Sequence, residues 1–511
     1  ITVGRMVSWF NALFSGAALA LYGGIWWNLE VERLRLEQSV QPLDLLNRLR
    51  YLKRKTSPKA SSAKVAIGYN ACLDAVVDAF EFFDKLNAEH PEDRKNHPEV
   101  HSIEQLAEVF HFHFTKAAAA ERAVCCDDVF EEFSHALFKS KHKLHLGGNA
   151  AIMAVVFAKR FGFQNVVLAG QVGEKIKGHL PDNLKTINAQ SGKISVSGED
   201  VSIQNDEVHI IMEYSKGSSW PNAPDHLHHT AKRANRFIVS RDTSNGVIAP
   251  LEVLGEYTAN SPDGLDLVII CGLHMLDGKE KTFYTSRLAD VEKSMGSMTN
   301  VKRIHFELAS VGDLGLLKEM TRKVLPLSDS LGLNEEELVS LIEVMGLSGF
   351  DTSKIAAQIP DVVVCASALE AILRKMNESP RKRNLSRIHF HNFAFHIMVQ
   401  MEGTGGNLLN WAEWEDARSA LAAGSVEASE RACNSTSLGN DQISLHLNPV
   451  LKISKEKTLH INANKPIVEW VHHGENGNTH FYVAPVLACN KVVQTVGLGD
   501  SISSSGLAYQ I

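Results

Sequence analysis

Gly497-Leu498-Gly499-Asp500-Ser501 sets two glycines, an acid and small polar residues together near the end of a 511-residue chain. Glycines let the backbone turn and approach a ligand closely. The free amides and dipole of a helix N-terminus suit an anion. A carboxylate at that point can take a proton from a hydroxyl attacking a phosphate. The stretch therefore reads as an anion cradle with a base in its mouth, or as a glycine turn with Asp500 capping a helix. Four other places carry similar chemistry. Asn70 and Asp74 offer an amide and a carboxylate that can grip sugar hydroxyls; Asp74 also reads as a helix cap. Gly147-Gly148-Asn149 bares backbone amides beside a side-chain amide, or is a plain tight turn. In His305-Phe306-Glu307 the first and last side chains share one face of a strand. Glu307 there suits a hard divalent cation reached through water, or else forms a surface ion pair. Asn334-Glu335-Glu336-Glu337 offers a second carboxylate, or simply favourable charge at a helix N-terminus.

These residues need elements to hold them. Val65–Asn70 reads as a short strand ending in Gly and Asn, followed by a helix over Ala75–Leu86. Ala107–Ala123 reads as a further helix. Leu144–Ala151 reads as strand, glycine turn and helix start, and Asn165–Leu168 as the next strand. Segments within Ile187–Tyr214, then Asn235–Ser240, Leu267–Cys271, Val301–Leu308, Asp361–Glu370, Arg387–His396, Thr458–Ile461 and Thr479–Val486 are strand-like. Ser328–Gly349, with Glu335-Glu336-Glu337, reads as a helix with an acidic first turn, and Val426–Asp441 reads as a long polar loop. Strand, glycine and helix in alternation predict a doubly wound α/β/α core with a mainly parallel sheet. Ligands of such sheets sit at the carboxyl ends of strands, where these polar residues fall.

Composition sets the bounds. A hydrophobic content of 44% and a charged content of 22% are those of a globular protein. A net charge of −7 argues against a nucleic-acid partner. The basic run Arg48–Lys59 is read as solvated, part of a charged linker over 31–64. Seven scattered cysteines include no CxxC, so a zinc site is not expected, and adjacent Cys125 and Cys126 are poor disulfide partners. A bond between distant cysteines stays open if the protein is lumenal. Val7–Leu29 carries no charge and follows Arg5, so residues 1–30 read as a signal peptide or signal anchor, with membrane association as a consequence. Asn377, Asn384 and Asn434 head glycosylation sequons. The expected compartment is the endoplasmic reticulum, lumenal or membrane-anchored, or the exterior.

Asn70-Ala71-Cys72-Leu73-Asp74, Gly147-Gly148-Asn149-Ala150-Ala151, His305-Phe306-Glu307, Asn334-x-x-Glu337 and Gly497-Leu498-Gly499-Asp500 run in one order along the chain. In that order and spacing the sequence resembles the ADP-dependent glucokinases, in their eukaryotic branch, from about Val65 to the end. The resemblance implies a kinase domain over 65–511, with a ribokinase-like core and a smaller, mostly-β lid inserted in its N-terminal half. It implies transfer of the β-phosphate of ADP to the 6-hydroxyl of D-glucose, with Mg²⁺ as cofactor, by a monomer. Asp500 would be the base, with the Gly497 and Gly499 amides on the phosphoryl group. Glu307 and Glu337 would organise the metal, with Asp500 beside it. Asn70, Asp74, Glu121, Gly148 and Asn149 would contact glucose, and His391, Val496 and Leu498 the nucleotide. Gly-x-Gly-Asp is shared with ATP-dependent sugar kinases, which remain the alternative; an inactive lumenal sugar- or nucleotide-binding protein is a second. The two Glu motifs favour the ADP branch. Met401–Asn410 and Val426–Asp441 fit the family pattern loosely.

Overall fold

Lys64–Gly68 alternates its side chains between two hydrophobic cores, and this strand fixes the layering of the molecule. Val65 and Ile67 face one core with Phe157, Val166, Leu168, Leu267 and Ile269. Ala66 faces the other, with Val167, Val268, Ile270 and Leu288. Strands buried on both faces in this way belong to a parallel sheet sandwiched by helices. The computed structural model describes residues 40–55, 62–116, 120–187, 194–196, 206–220, 230–232, 234–378, 383–402, 416–474, 477–493 and 497–511. The N-terminal apolar run, Val496 and most of Met401–Asn410 lie outside the described residues.

The main sheet has eleven strands. Its centre is parallel, in the spatial order Leu184–Ile187, Asn165–Ala169, Lys64–Gly68, Leu265–Ile270, Val301–Glu307, Ser330–Leu333 and Arg387–His391. Antiparallel strands close both edges: Ile194–Val196 on one side, and Phe395–Met401, Gly477–Pro485 and Val468–Gly474 on the other. The order reverses direction at Lys64–Gly68, which puts a topological switch point at its carboxyl end. There the chain leaves for a second sheet at Cys72 and returns from it at Gly147.

That six-stranded sheet runs in the order Glu99–Val100, Ala120–Val124, Asn235–Ser240, Val208–Tyr214, Cys72–Asp78, His142–Gly147. One face is packed by the helices Ala79–Lys85, Ile103–Lys116 and Asp127–Lys139 around Phe82, Phe83, Phe110, Phe133, Trp220 and Phe237. Alternation then leaves Cys72, Asp74, Glu121 and His209 on the opposite face.

Several sequence expectations are corrected. Ala75–Leu86 is not one helix: Cys72–Asp78 is a strand, and the helix starts at Ala79 on its true cap Asp78, which accepts from the Phe80 and Glu81 amides. Ala107–Ala123 divides into the helix Ile103–Lys116 and the strand Ala120–Val124. Asp361–Glu370 is helical, since Asp361 caps Val362–Met376 and one apolar stripe of that helix is buried. Ile187–Tyr214 contributes to both sheets, and Ser328–Gly349 is not one helix: Ser330–Leu333 is a strand of the main sheet and the helix runs over Glu335–Val344. Residues 42–55, read as linker, form a helix with Leu45, Leu46 and Leu49 fully buried. Val426–Asp441 is not all loop, for its first residues end the buried helix Ala417–Ala432. That helix packs against Leu498–Ala508, where Ser501, Ser503, Ser504 and Ser505 are fully buried. Small residues allow the two backbones to approach, and two of the hydroxyls donate to carbonyls: Ser425 to that of Pro485 at 2.8 Å and Ser429 to that of Leu487 at 2.8 Å.

Candidate active site

Asp500 lies in the first turn of the last helix, Leu498–Ala508, whose cap Gly497 takes φ = 64°. A Cβ at Gly497 would stand 2.3 Å from Ile152, and one at Gly499 would stand 2.7 Å from the His391 ring. Both glycines are therefore required by close packing, and the first-turn amides stay open to a ligand. Asp500 Oδ1 accepts from Asn149 Nδ2 at 2.6 Å. Burial raises its pKa to about 6, with the negative charge of Glu307 adding to the rise. The Asn149 hydrogen bond and the positive charges of His391 and Arg431 oppose that rise.

Asn149 opens the helix Asn149–Val155, and Gly148 before it takes φ = 80°. Asn149 Oδ1 accepts from Asn70 Nδ2 at 3.4 Å, and Asn70 Oδ1 accepts from the Ala150 amide at 3.1 Å. A line of amides thus runs from the end of the first strand to Asp500. Asp74 stands on the polar face of the second sheet, in register with His209 and His145. Its carboxylate fills the space that a side chain on Gly147 would take, 2.3 Å from the site of that Cβ. Burial raises the Asp74 pKa, with the positive charge of His209 opposing. Glu121 Oε1 accepts from Ser240 Oγ at 3.1 Å and lies 3.8 Å from His209 Nδ1.

Glu307 ends its strand fully surrounded. Oε2 bonds His305 Nε2 at 2.8 Å; Oε1 meets His391 Nε2 at 3.3 Å and accepts from Ser503 Oγ at 3.0 Å. Burial pushes its pKa up, but these histidines outweigh it and hold the carboxyl at about 2. The support continues inward: His305 Nδ1 bonds Ser330 Oγ at 2.9 Å, and Ser330 Oγ accepts from Arg387 Nη1 at 2.8 Å. Gly332 makes room for Glu307, since a Cβ there would fall 1.9 Å from Oε2. Glu337 closes a capping box on Asn334, accepting from its amide at 2.9 Å and from Nδ2 at 2.8 Å. Burial drives its pKa well up, and the charges of Glu307 and Asp500 push the same way. Glu307, Glu337 and Asp500 are thus three buried acids that repel one another, an arrangement that a cation would relieve.

The structure brings Asn70, Gly148, Asn149, Gly497, Gly499, Asp500, Glu307, Glu337 and His391 together at the carboxyl end of the main sheet. Asp74 and Glu121 approach from the second sheet. The surface ion-pair reading of Glu307 is excluded by its burial at 3% exposure. Asp74 is no cap, and Glu337 is both cap and candidate ligand. His391 sits against Glu307 and Gly499. Leu498 packs with Ala428, Val486 and Ile502. Sequence reasoning missed His209, Asp242, Ser503 and Arg431. His209 was legible only through strand register opposite Asp74, and Ser503 through its place one helical turn after Asp500. Arg431, from a helix end that was read as loop, adds positive charge to the surroundings of Asp500.

A doubly wound sheet with an acid at the N-terminus of the last helix, and a second sheet hung from its carboxyl edge, is the ribokinase-like fold. The fold is shared with a hypothetical ADP-dependent phosphofructokinase from Pyrococcus horikoshii OT3, at a TM-score of 0.62 and 18% identity over 88% of this chain and 97% of that one. The sequence is 35% identical to an ADP-dependent glucokinase from Bos taurus, covering 87% of this chain and 84% of the relative. It is 30% identical to a probable ADP-dependent glucokinase from Caenorhabditis elegans, covering 88% and 86%. Residues 63–509 match the conserved region of the ADP-specific phosphofructokinases and glucokinases, and the chain belongs to that family.

Proposed function

We propose that this protein transfers the β-phosphoryl group of ADP to the 6-hydroxyl of D-glucose, forming AMP and glucose 6-phosphate. The observation that carries the reading is the amide line Asn70–Asn149–Asp500, which joins a hydroxyl-binding face to a buried base at a helix N-terminus. Asn70, Asp74, Glu121, Gly148 and Asn149 hold the sugar, with His209 beside Asp74. Asp500 takes the proton of the attacking hydroxyl as the new O–P bond forms and the bond to the AMP oxygen breaks, and then passes that proton to solvent. A pKa of about 6 leaves Asp500 ionised at neutral pH yet basic enough to accept. The amides of the first helical turn, from Leu498 on, face the charge that builds on the phosphoryl oxygens.

The mutual repulsion of Glu307, Glu337 and Asp500 supports a Mg²⁺ site. The protein donors already on Glu307 and Glu337 favour contact through water, which suits a cation that keeps several of its waters. Bound with the nucleotide, Mg²⁺ supplies neutralisation of phosphate charge. The second sheet acts as a lid over the sugar, excluding the water that would otherwise accept the phosphoryl group. His391 and Leu498 flank the nucleotide. The ordered acids disfavour an inactive binding protein.

The deciding experiment compares ADP and ATP as donors to glucose, with Mg²⁺, in one coupled assay. Turnover with ADP and little with ATP is expected; faster turnover with ATP refutes the reading. An oxidising, lumenal location is supported by the Cys433–Cys489 disulfide and by the uncharged run Val7–Leu29.

A further inference from the structure

Outside the phosphoryl site, one cluster has the geometry of a transition-metal centre. Cys72, Asp74 and His209 are buried on the polar face of the second sheet, and their ligand atoms all lie within 4.8 Å of one another. Cys72 Sγ stands 3.5 Å from Asp74 Oδ1 and 3.7 Å from His209 Nδ1. A tetrahedral ion with bonds of about 2.3 Å to sulfur and about 2.0 Å to nitrogen or oxygen holds such atoms roughly 3.5 Å apart. The three ligands are therefore already near the required separations. The far side of the imidazole is held as well: His209 Nε2 bonds Asp242 Oδ2 at 2.8 Å, which turns Nδ1 toward the cluster. A carboxylate behind a histidine is the common support of a ligating imidazole. Glu121 Oε1, 3.8 Å from Nδ1, stands near enough to supply a fourth ligand. Its side chain keeps 35% of its exposure, so the cluster has solvent on that side.

We propose that Cys72, Asp74 and His209, with Glu121 or water as fourth ligand, form a Zn²⁺ site that closes the sugar-binding face. Thiolate and imidazole select a soft or borderline ion such as zinc over magnesium, which needs oxygen ligands. On binding, the Cys72 S–H bond breaks, a sulfur–metal bond forms and the proton leaves to solvent, as does any proton on His209. Nothing is oxidised or reduced. Asp74, His209 and Glu121 are then unavailable to the sugar, so zinc competes with glucose and not with the nucleotide. This competition rests on the sugar-binding role proposed above, whereas binding of the metal does not.

Two measurements on the full chain separate the parts. One equivalent of Co²⁺ should produce a thiolate-to-metal charge-transfer band that Cys72→Ser abolishes, while the variant keeps wild-type turnover in metal-free buffer with Mg²⁺. Absence of the band, or a band undiminished in Cys72→Ser, overturns the site. Should the serine variant not fold, X-ray absorption of the wild type with one equivalent of Zn²⁺ decides: one sulfur neighbour supports the site, and nitrogen and oxygen alone overturn it. Zn²⁺ at its inhibition constant should double the apparent KM for glucose and leave kcat unchanged. Inhibition that excess glucose does not relieve, in a protein that shows the band, keeps the metal site and overturns the placement of the sugar.

Discussion

Asp500→Asn should kill the reaction and stabilise the fold. Asp500 is buried, and its pKa stands at about 6 against an ordinary 3.8. The folded state therefore prefers the protonated acid. The penalty is full above pH about 6 and disappears below about 4. Linkage over that interval gives about 3 kcal/mol at pH 7.5 and roughly half of that at pH 5. Asparagine keeps the Oδ1 acceptor that Asn149 uses and removes the charge that Glu307 repels. The variant should accordingly gain about 3 kcal/mol at pH 7.5, read as a higher urea midpoint at unchanged slope with neither nucleotide nor metal present. The gain should fall to about half at pH 5. Turnover should fall by about 10²–10⁴, the usual contribution of a positioned base. In the wild type, kcat/KM should decline as pH drops through about 6, because Asp500 of the free enzyme is then protonated. A variant that is less stable at pH 7.5, or whose gain is equal at the two pH values, would falsify the claim that the site stores charge strain. Near-normal turnover would remove Asp500 from the mechanism.

Asp74→Asn should raise the KM for glucose by about 10–100-fold with a smaller change in kcat, the cost of one charge-assisted hydrogen bond, measured by initial rates. Gly332→Ala puts a Cβ where Glu307 Oε2 lies, so turnover should fall by about 10² or more while circular dichroism shows an intact fold; unchanged rates would mean that Glu307 need not stand where it does. Arg383 pairs with Asp329, which has no exposed surface, and also donates to the Val301 carbonyl at 2.6 Å. Arg383→Ala removes a cation from that buried carboxylate and should cost about 3–5 kcal/mol by denaturant titration. Of the sequons, Asn434 is exposed, whereas Asn377 Nδ2 is occupied by the carbonyls of Leu373 and Leu385 at 2.8 and 2.7 Å. Expression through the secretory route should place a glycan on Asn434 and none on Asn377, read by peptide mass spectrometry.

Local chemistry was legible in the sequence wherever it depends on neighbours along the chain. Gly497 and Gly499 announce a close approach, and Asn334 with Glu337 announces a capping box. Short apolar strands ending in Gly, Asn or Glu announce a parallel sheet with its ligands at the carboxyl edge. These signals span a few residues, and they were enough to define the fold class and to mark Asp500, Glu307 and Glu337 as candidate site residues. Tertiary structure decided the rest. Cys72–Asp78 is a strand because it pairs with Val208–Tyr214 and His142–Gly147, and that pairing alone sets Asp74 against His209. The helix Ala417–Ala432 has no marked apolar stripe, because it is buried nearly all round by close packing of small side chains, and such a helix cannot be told from a loop by periodicity. The same helix supplies the positive charge of Arg431 that acts on Asp500. The acidity of each carboxylate was beyond the sequence altogether. Glu307 is held at about 2 by two histidines, one of them 84 residues away, while Asp500 is raised to about 6 by burial beside Glu307 itself. Two acids of nearly equal intrinsic strength are driven in opposite directions by what the fold packs around them, which separates a permanent anion from a base.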